Sequence, residues 1–309
     1  MSRPTGPRPR VSIGCPVYNG ERFLAFAVES LLAQTFHDFE LLLVDNASTD
    51  GTAEICRRYA ATDARVKYFR NERNVGVYRN CNRAFELSRG EYFKLAAADD
   101  LCDPELVARC VDVLDRDRAV VAAYSRARFI DEDGNALRLT DPGWHLMSDG
   151  AWERLKYVLV SGHRVNVFFG LTRSSELART RLFPIYPGGD CRLLGELCLQ
   201  GKIFEIPEYL FFRRIHPNAS TQNRDVDWRS MFFNGELGHM ELPFWQICID
   251  HGGTVLRSNL KRQQKISCLG ILVKRMISGR RQLLSELQGA GRHLYGPRRS
   301  RGACDCLYR

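Results

Sequence analysis

The chain has 309 residues, 44% hydrophobic and 26% charged, a balance that supports a sizeable buried core and excludes a disordered or fibrous chain. Its formal charge of +9 is concentrated at one end: residues 254–309 carry thirteen Lys and Arg against two acids, Glu286 and Asp305. Removing these from the 45 basic and 36 acidic residues leaves 32 and 34 in the first 253, a nearly neutral body that offers no footprint for nucleic acid. No stretch approaches the ~20 apolar residues of a transmembrane helix, and residues 1–10, basic and Pro-rich, do not resemble a signal peptide. The eleven cysteines are scattered without paired metal spacing, so reduced thiols and a cytoplasmic location are expected.

In chain order, residues 1–10 read as a disordered tail, and 11–15 (VSIGC) as an apolar strand ended by Pro16. Phe23, Leu24, Ala27, Val28, Leu31 and Leu32 recur at helical spacing within 21–35, behind the capping residue Asn19. A second strand, 40–44 (ELLLV), runs into Ser48-Thr49-Asp50-Gly51, which opens a helix reaching Tyr59. A third strand over 66–70 precedes a helix over 78–88, and a fourth over 92–96 enters Ala97-Ala98-Asp99-Asp100. A further helix is expected with Asp103 as N-cap and Pro104 at its first position, then a strand over 119–125. The alternation predicts an α/β fold with a mainly parallel sheet and helices on both faces. Ligands in such sheets sit beyond the carboxyl ends of the strands, which singles out residues 16–19, Asp45 with Asn46, and Asp99 with Asp100. The pattern breaks up over 129–161 and resumes over 166–172, in a helix over 191–200 closed by Gly201, and in a strand over 209–213. Beyond Trp228 the chain reads as helical, and after Thr254 as a basic amphipathic extension.

Adjacent carboxylates at a strand end, Asp99 and Asp100, suit Mg2+ or Mn2+, hard cations that take oxygen ligands and leave positions for phosphate oxygens. Asp45 follows its strand too early to cap the next helix, and its carboxylate suits the imide N–H of uracil or the amino N–H of another base. Asp190 stands where a helix N-cap belongs, and the positive helix end is expected to lower its pKa.

Read together, Cys15-Pro16-Val17-Tyr18-Asn19, Leu43-Val44-Asp45-Asn46 through Thr52, Asn71-Glu72-Arg73-Asn74-Val75-Gly76 with Arg79-Asn80, and Gly90-Glu91-Tyr92 before Asp99-Asp100 resemble family 2 glycosyltransferases of the GT-A fold. The match runs in order and spacing over residues 11–113. The resemblance implies a nucleotide-sugar-binding half over 11–125, an acceptor-binding and catalytic-base half over 126–227, and a helical basic extension over 228–309. It places Pro16, Val17, Tyr18 and Asn19 along the nucleotide, Asp45 and Asn46 at the base, and Arg79 at base or phosphates. Asp99 then faces ribose and shares the metal held by Asp100, although Ala97 stands where the family's motif commonly starts with an acid. Asp190, after Gly188-Gly189, corresponds to the general base, with Glu196 a weaker alternative inside the helix. The segment from Arg213-Arg214 to His216 corresponds to the part that folds over the diphosphate, with Arg213 as donor contact and His216 offered to the metal. The implied reaction is inverting, Mn2+- or Mg2+-dependent transfer from a nucleotide-diphosphate sugar, a UDP-sugar favoured, to a cell-envelope or lipid-linked glycan.

Two other readings use the same residues. A nucleotidyltransferase also joins an α/β sheet to carboxylates and a metal, but no Gly-rich loop follows the first strand; a dehydrogenase fails on the same ground. A non-catalytic nucleotide-sugar sensor draws on Ala97. In the extension, apolar Ile266, Leu272, Val273 and Ile277 interleave with Lys261, Arg262, Lys274 and Arg275, which suits either a peripheral helix on an anionic membrane or a helix packed on the body.

Overall fold

The computed structural model describes residues 8–140, 143–161, 166–185, 189–217 and 242–295. The expectations for residues 1–7, 218–241 and 296–309, and for Gly188, lie outside the described residues.

The first half follows the apolar runs. Strands β1 (Val11–Val17), β2 (Phe39–Asp45), β3 (Val66–Arg70) and β4 (Tyr92–Leu95) alternate with helices α1 (Leu24–Leu32), α2 (Thr52–Thr62) and α3 (Val77–Leu87). β1 lies between β2 and β4 and is parallel to both; β2 also pairs parallel with β3. β1 and β2 are buried on both faces, which is why they read as uninterrupted apolar runs. Helix α1 buries Leu24, Ala27, Val28 and Leu31, the i, i+3, i+4, i+7 stripe of a helix lying on a sheet. Gly76, with φ of 85°, turns the chain into α3 through a conformation that favours glycine.

The second half adds antiparallel strands to this parallel sheet. After the short β5 (Leu101–Cys102) and α4 (Leu106–Arg116) come β6 (Val120–Ile130) and β7 (Ala136–Thr140), then α5 (Ala151–Ser161). A 3-10 turn (Val167–Phe169), β8 (Leu171–Arg173), α6 (Ser174–Ala178), α7 (Gly189–Gln200) and β9 (Lys202–Arg214) follow. The strand order is β3-β2-β1-β4-β8-β6-β9-β5, with β7 on β6. β8 runs antiparallel between β4 and β6, and β5 runs antiparallel to β9. The strand expected over 209–213 is therefore only the end of β9. Glu205, Pro207 and Glu208 interrupt its apolar pattern, and the facing strand shifts register around Arg126 to accommodate the break. Helix α4 begins after the expected cap, although Asp103 Oδ1 does accept the Glu105 N–H at 3.0 Å.

Of the C-terminal helices, α8 (Pro243–Arg257) packs on α7, α9 (Arg262–Ser278) on α5 and α8, and α10 (Arg280–Tyr295) on α8 and α9. Leu155 and Leu159 of α5 meet Val255, Cys268 and Leu272 in a satellite core. Glu286, the lone acid of residues 254–304, turns inward and accepts the N–H groups of Phe244 and Trp245 at the start of α8. The opposite face of α9 leaves Ile266, Val273 and Ile277 exposed. The packed face of α9 answers to the reading of a helix packed on the body. Among the described residues no helix is long and apolar enough to cross a membrane.

Docking of α9 is testable through Leu272. Leu272→Ala should lower unfolding stability by about 2–5 kcal/mol in urea. A loss below roughly 0.5 kcal/mol, the scale of ordinary surface changes, would show that α9 stands off the body.

Candidate active site

The end of β9 closes over the carboxyl end of β4. Pairing of Leu101 with Phe212 and Cys102 with Phe211 brings residues 213–216 against the Asp99-Asp100 loop. The Arg214 N–H donates to Asp100 Oδ1 at 2.8 Å, and its Nε donates to the Asp99 carbonyl at 2.9 Å. Arg214 Nη1 also donates to the carbonyls of Asp131 and Glu132, and the guanidinium lies over the Phe23 ring. Arg214, which the sequence left behind Arg213 and His216, is the clamp of the site.

His216 Nε2 lies 3.0 Å from Asp99 Oδ2, and its ring packs against Phe23 at 4.9 Å. The histidine thus stands against Asp99, one of the two carboxylates with which the resemblance groups it. Among the described residues no three His, Cys, Asp or Glu side chains converge on one point. Asp99 and Asp100 nevertheless fit a hard divalent cation. Asp100 is buried, and burial together with the Asp99 carboxylate pushes its pKa up to about 8. Arg213 and Lys94 offset this only in part, and a cation needing only one or two carboxylates beside phosphate oxygens and water would add the balancing charge.

At the next strand end, Asp45 is fully enclosed. Its Oδ1 accepts the Ser48 N–H at 2.8 Å, and its Oδ2 accepts Tyr68 Oη at 2.8 Å and Arg70 Nη1 at 2.9 Å. A base N–H would reach this carboxylate only by displacing Arg70 or Tyr68, so those two residues cover the expected base contact. Both sit on β3, where an alternating edge strand gives no motif. Asn46 is a brace: its Oδ1 accepts the Val75 N–H and Asn71 Nδ2, and Asn71 continues to Asn80 Oδ1. Asn19, at φ 51°, accepts the Thr49 N–H and donates its own N–H to Ser48 Oγ, tying the two loops together. Pro16 and Val17 end β1, while Tyr18, 49% exposed, and Arg79 remain at the surface of this end of the sheet.

α7 starts at Gly189, so Asp190 lies in its first turn rather than at the expected N-cap, and it accepts the Cys191 N–H at 3.0 Å. Burial nonetheless raises its pKa, outweighing the hydrogen bond to Cys191, so the expected lowering by the helix end does not prevail. Arg213 exerts its charge on both Asp190 and Asp100, and its Nη1 is 3.4 Å from Asn166 Oδ1. Arg213 is therefore a cation whose charge reaches both Asp190 and Asp100. Glu196, the weaker alternative, is held in ion pairs: Arg181 Nε donates to it at 2.6 Å and Arg192 flanks it.

The model of glycosyl transferase family 2 matches residues 12–176, and the chain belongs to that family. It is 35% identical over 129 residues to the chondroitin synthase of Escherichia coli and 33% identical over 137 residues to an uncharacterized glycosyltransferase of Methanocaldococcus jannaschii. These matches cover 42% and 44% of this chain but 19% and 47% of the relatives' lengths. Among solved structures, S. aureus TarS in complex with UDP-GlcNAc superposes with a TM-score of 0.67 at 16% identity, covering 92% of this chain and 81% of TarS. The mannosyltransferase PcManGT of Pyrobaculum calidifontis, solved with GDP-Man and Mn2+, gives 0.55 at 16% identity over 93% of this chain and 81% of its own. At these identities the likeness is one of fold, and that fold is GT-A.

The state of Asp100 can be measured without any ligand. Its carboxyl binds a proton more tightly folded than unfolded, so its contribution to stability is present in acid and is lost as pH rises from 3.8 through about 8. Asp100→Asn keeps an acceptor for the Arg214 N–H and removes that loss. In chelator, the variant should gain urea stability relative to the unaltered protein as pH climbs through this window. A pH-independent difference would show that Asp100 ionises like an ordinary carboxylate.

Proposed function

We propose that this protein is an inverting, metal-dependent glycosyltransferase that moves a sugar from a nucleotide-diphosphate donor, a UDP-sugar favoured, to an acceptor hydroxyl of a cell-envelope or lipid-linked glycan. What supports this reading is that Arg213 exerts its charge on both Asp100 and Asp190, beside the Asp99-Asp100 loop, in a family 2 chain. The preference for uracil rests on TarS, solved with UDP-GlcNAc, though PcManGT was solved with GDP-Man.

In this reading the base lies against exposed Tyr18 beside the Arg70-Asp45 pair, with Arg79 at the rim, and Asp99 takes the ribose. A divalent cation, Mn2+ or Mg2+, held by Asp100 and Asp99 supplies charge neutralisation for the departing diphosphate. Arg213 adds a fixed cation on the same side, and the Arg214 clamp keeps the loop from shifting as charge develops. Asp190 accepts the proton of the acceptor hydroxyl while its oxygen bonds to the anomeric carbon and the bond to the diphosphate breaks. The raised pKa of Asp190 suits a base, since a carboxylate made less stable by burial holds a proton more readily. Attack opposite the leaving group inverts the anomeric centre.

The basic extension supports peripheral contact with an anionic membrane on the cytoplasmic side. Ile266, Val273 and Ile277 share one exposed face of α9, and the exposed Lys261, Arg262, Lys274, Arg280 and Arg281 have no exposed acid beside them in the described extension.

Incubation with a panel of nucleotide-sugars should reveal slow, Mn2+- or Mg2+-dependent hydrolysis of one of them. Asp190→Asn should cut that turnover by about 10²–10⁴-fold with the nucleotide Kd unchanged within about twofold. No hydrolysis of any donor, or a fully active Asp190→Asn, defeats the enzymatic reading. For the membrane contact, the full chain should sediment with anionic vesicles at low salt and release as salt rises. Indifference to those vesicles would leave the exposed stripe without this partner.

A further inference from the structure

Lys94 is the buried charge that the proposed chemistry does not use. It sits on β4, five residues before Asp99, and is 1% exposed. Among the described residues it pairs with no carboxylate. Its Nζ donates to the Phe169 carbonyl, reaches the Cys102 thiol, and lies 5.7 Å from the centre of the Phe211 ring. An ammonium enclosed in this way carries a desolvation cost that an apolar side chain of equal length would not.

Each of its contacts belongs to an element that carries part of the site. The Phe169 carbonyl ends the 3-10 turn that starts after Asn166, and Asn166 Oδ1 faces Arg213 Nη1. Phe169 stacks on Phe211 at 5.0 Å and 17°, and Phe211 lies two residues before Arg213 on β9. Cys102 pairs with Phe211 directly after the Asp99-Asp100 loop. One amine thus joins β4, β5, the 3-10 turn and β9 beneath the point where Arg213 meets the carboxylates.

We propose that Lys94 is a positioning residue for group transfer: by fastening the Phe169 carbonyl to β4 it fixes Asn166, and through Asn166 the guanidinium of Arg213 opposite Asp99 and Asp100. This rests on the reading of Arg213 as a diphosphate contact. Lys94 touches neither donor nor acceptor and acts through Arg213.

A double-mutant cycle with UDP and Mn2+, read by calorimetry on the full chain, tests the relay. Lys94→Met keeps the length of the side chain and removes its charge. Lys94→Met and Arg213→Met should each weaken UDP binding by about tenfold, and the double variant should bind within about twofold of Arg213→Met alone. Asn166→Ala, which leaves Lys94 in place, should behave as Lys94→Met does and covers the case in which that variant does not fold. Lys94→Met or Asn166→Ala with unchanged affinity, or losses that multiply with that of Arg213→Met, overturn the relay. If the unaltered protein binds no UDP, or Arg213→Met binds it normally, the donor reading fails instead. Crystal structures of Lys94→Met and Asn166→Ala, which need no nucleotide, then decide the relay. A displaced Arg213 in either supports it, and an unmoved Arg213 in both overturns it.

Discussion

The hydrogen bond from the Arg214 N–H to Asp100 Oδ1 joins parts of the chain 114 residues apart, and the site depends on it. It fastens the end of β9 to the loop after β4, so that the half carrying Asp190 and Arg213 faces the half carrying Asp45 and Asp99. The bond is geometrically secured by β5, whose two residues pair with β9 immediately before it. It also lowers the pKa of Asp100 against the larger effects of burial and Asp99. The carboxylate is consequently anchored by the backbone, while burial and Asp99 outweigh the charges of Arg213 and Lys94 that oppose them.

Much of the first half was legible because its strands are buried on both faces. Leu41, Leu42, Leu43 and Val44 are all buried, so the apolar run had no other interpretation, and the polar residues after it had to lie at a strand end. The second half resisted for identifiable reasons. β9 carries Glu205, whose charge is matched by Arg126 and which accepts a hydrogen bond from the Tyr124 hydroxyl, so a buried strand position reads as polar. Helix α5 exposes Tyr157 and Val160 while burying Leu155 and Leu159, which blurs its amphipathic stripe. The inserted β8 is three residues long, too short for any periodicity.

At the site, residue identity was easier to read than residue role. Asp45, Asn46 and Asn19 stand at the strand ends as their spacing required, but Asn46 and Asn19 are engaged in holding loops, and Asp45 is covered by Arg70 and Tyr68. Which partner a carboxylate meets is a tertiary property, and β3 places those partners without any local signal. Asp190 shows the same limit in its energetics. Helix position argues for a lowered pKa, whereas the enclosure that raises it depends on the packing of α7. The buried Lys94 was passed over, and Arg214 was named only as an alternative to Arg213, because nothing in the nearby sequence tells a cation under a strand or at a strand end from an ordinary surface charge.

These features place an electrostatically costly cluster, with Asp100 buried and Asp190 half-buried, in a frame stiffened by a nine-stranded sheet and by α9 packed on α5. On the proposed reading, the cluster becomes favourable when a cation and a phosphorylated donor enter together. The most direct test is calorimetric titration of UDP into the unaltered protein and Asp100→Ala, each with Mn2+ and with chelator. The account predicts that Mn2+ tightens UDP binding to the unaltered protein by at least about tenfold and has little effect on Asp100→Ala. Equal Mn2+ enhancement in both proteins would contradict it.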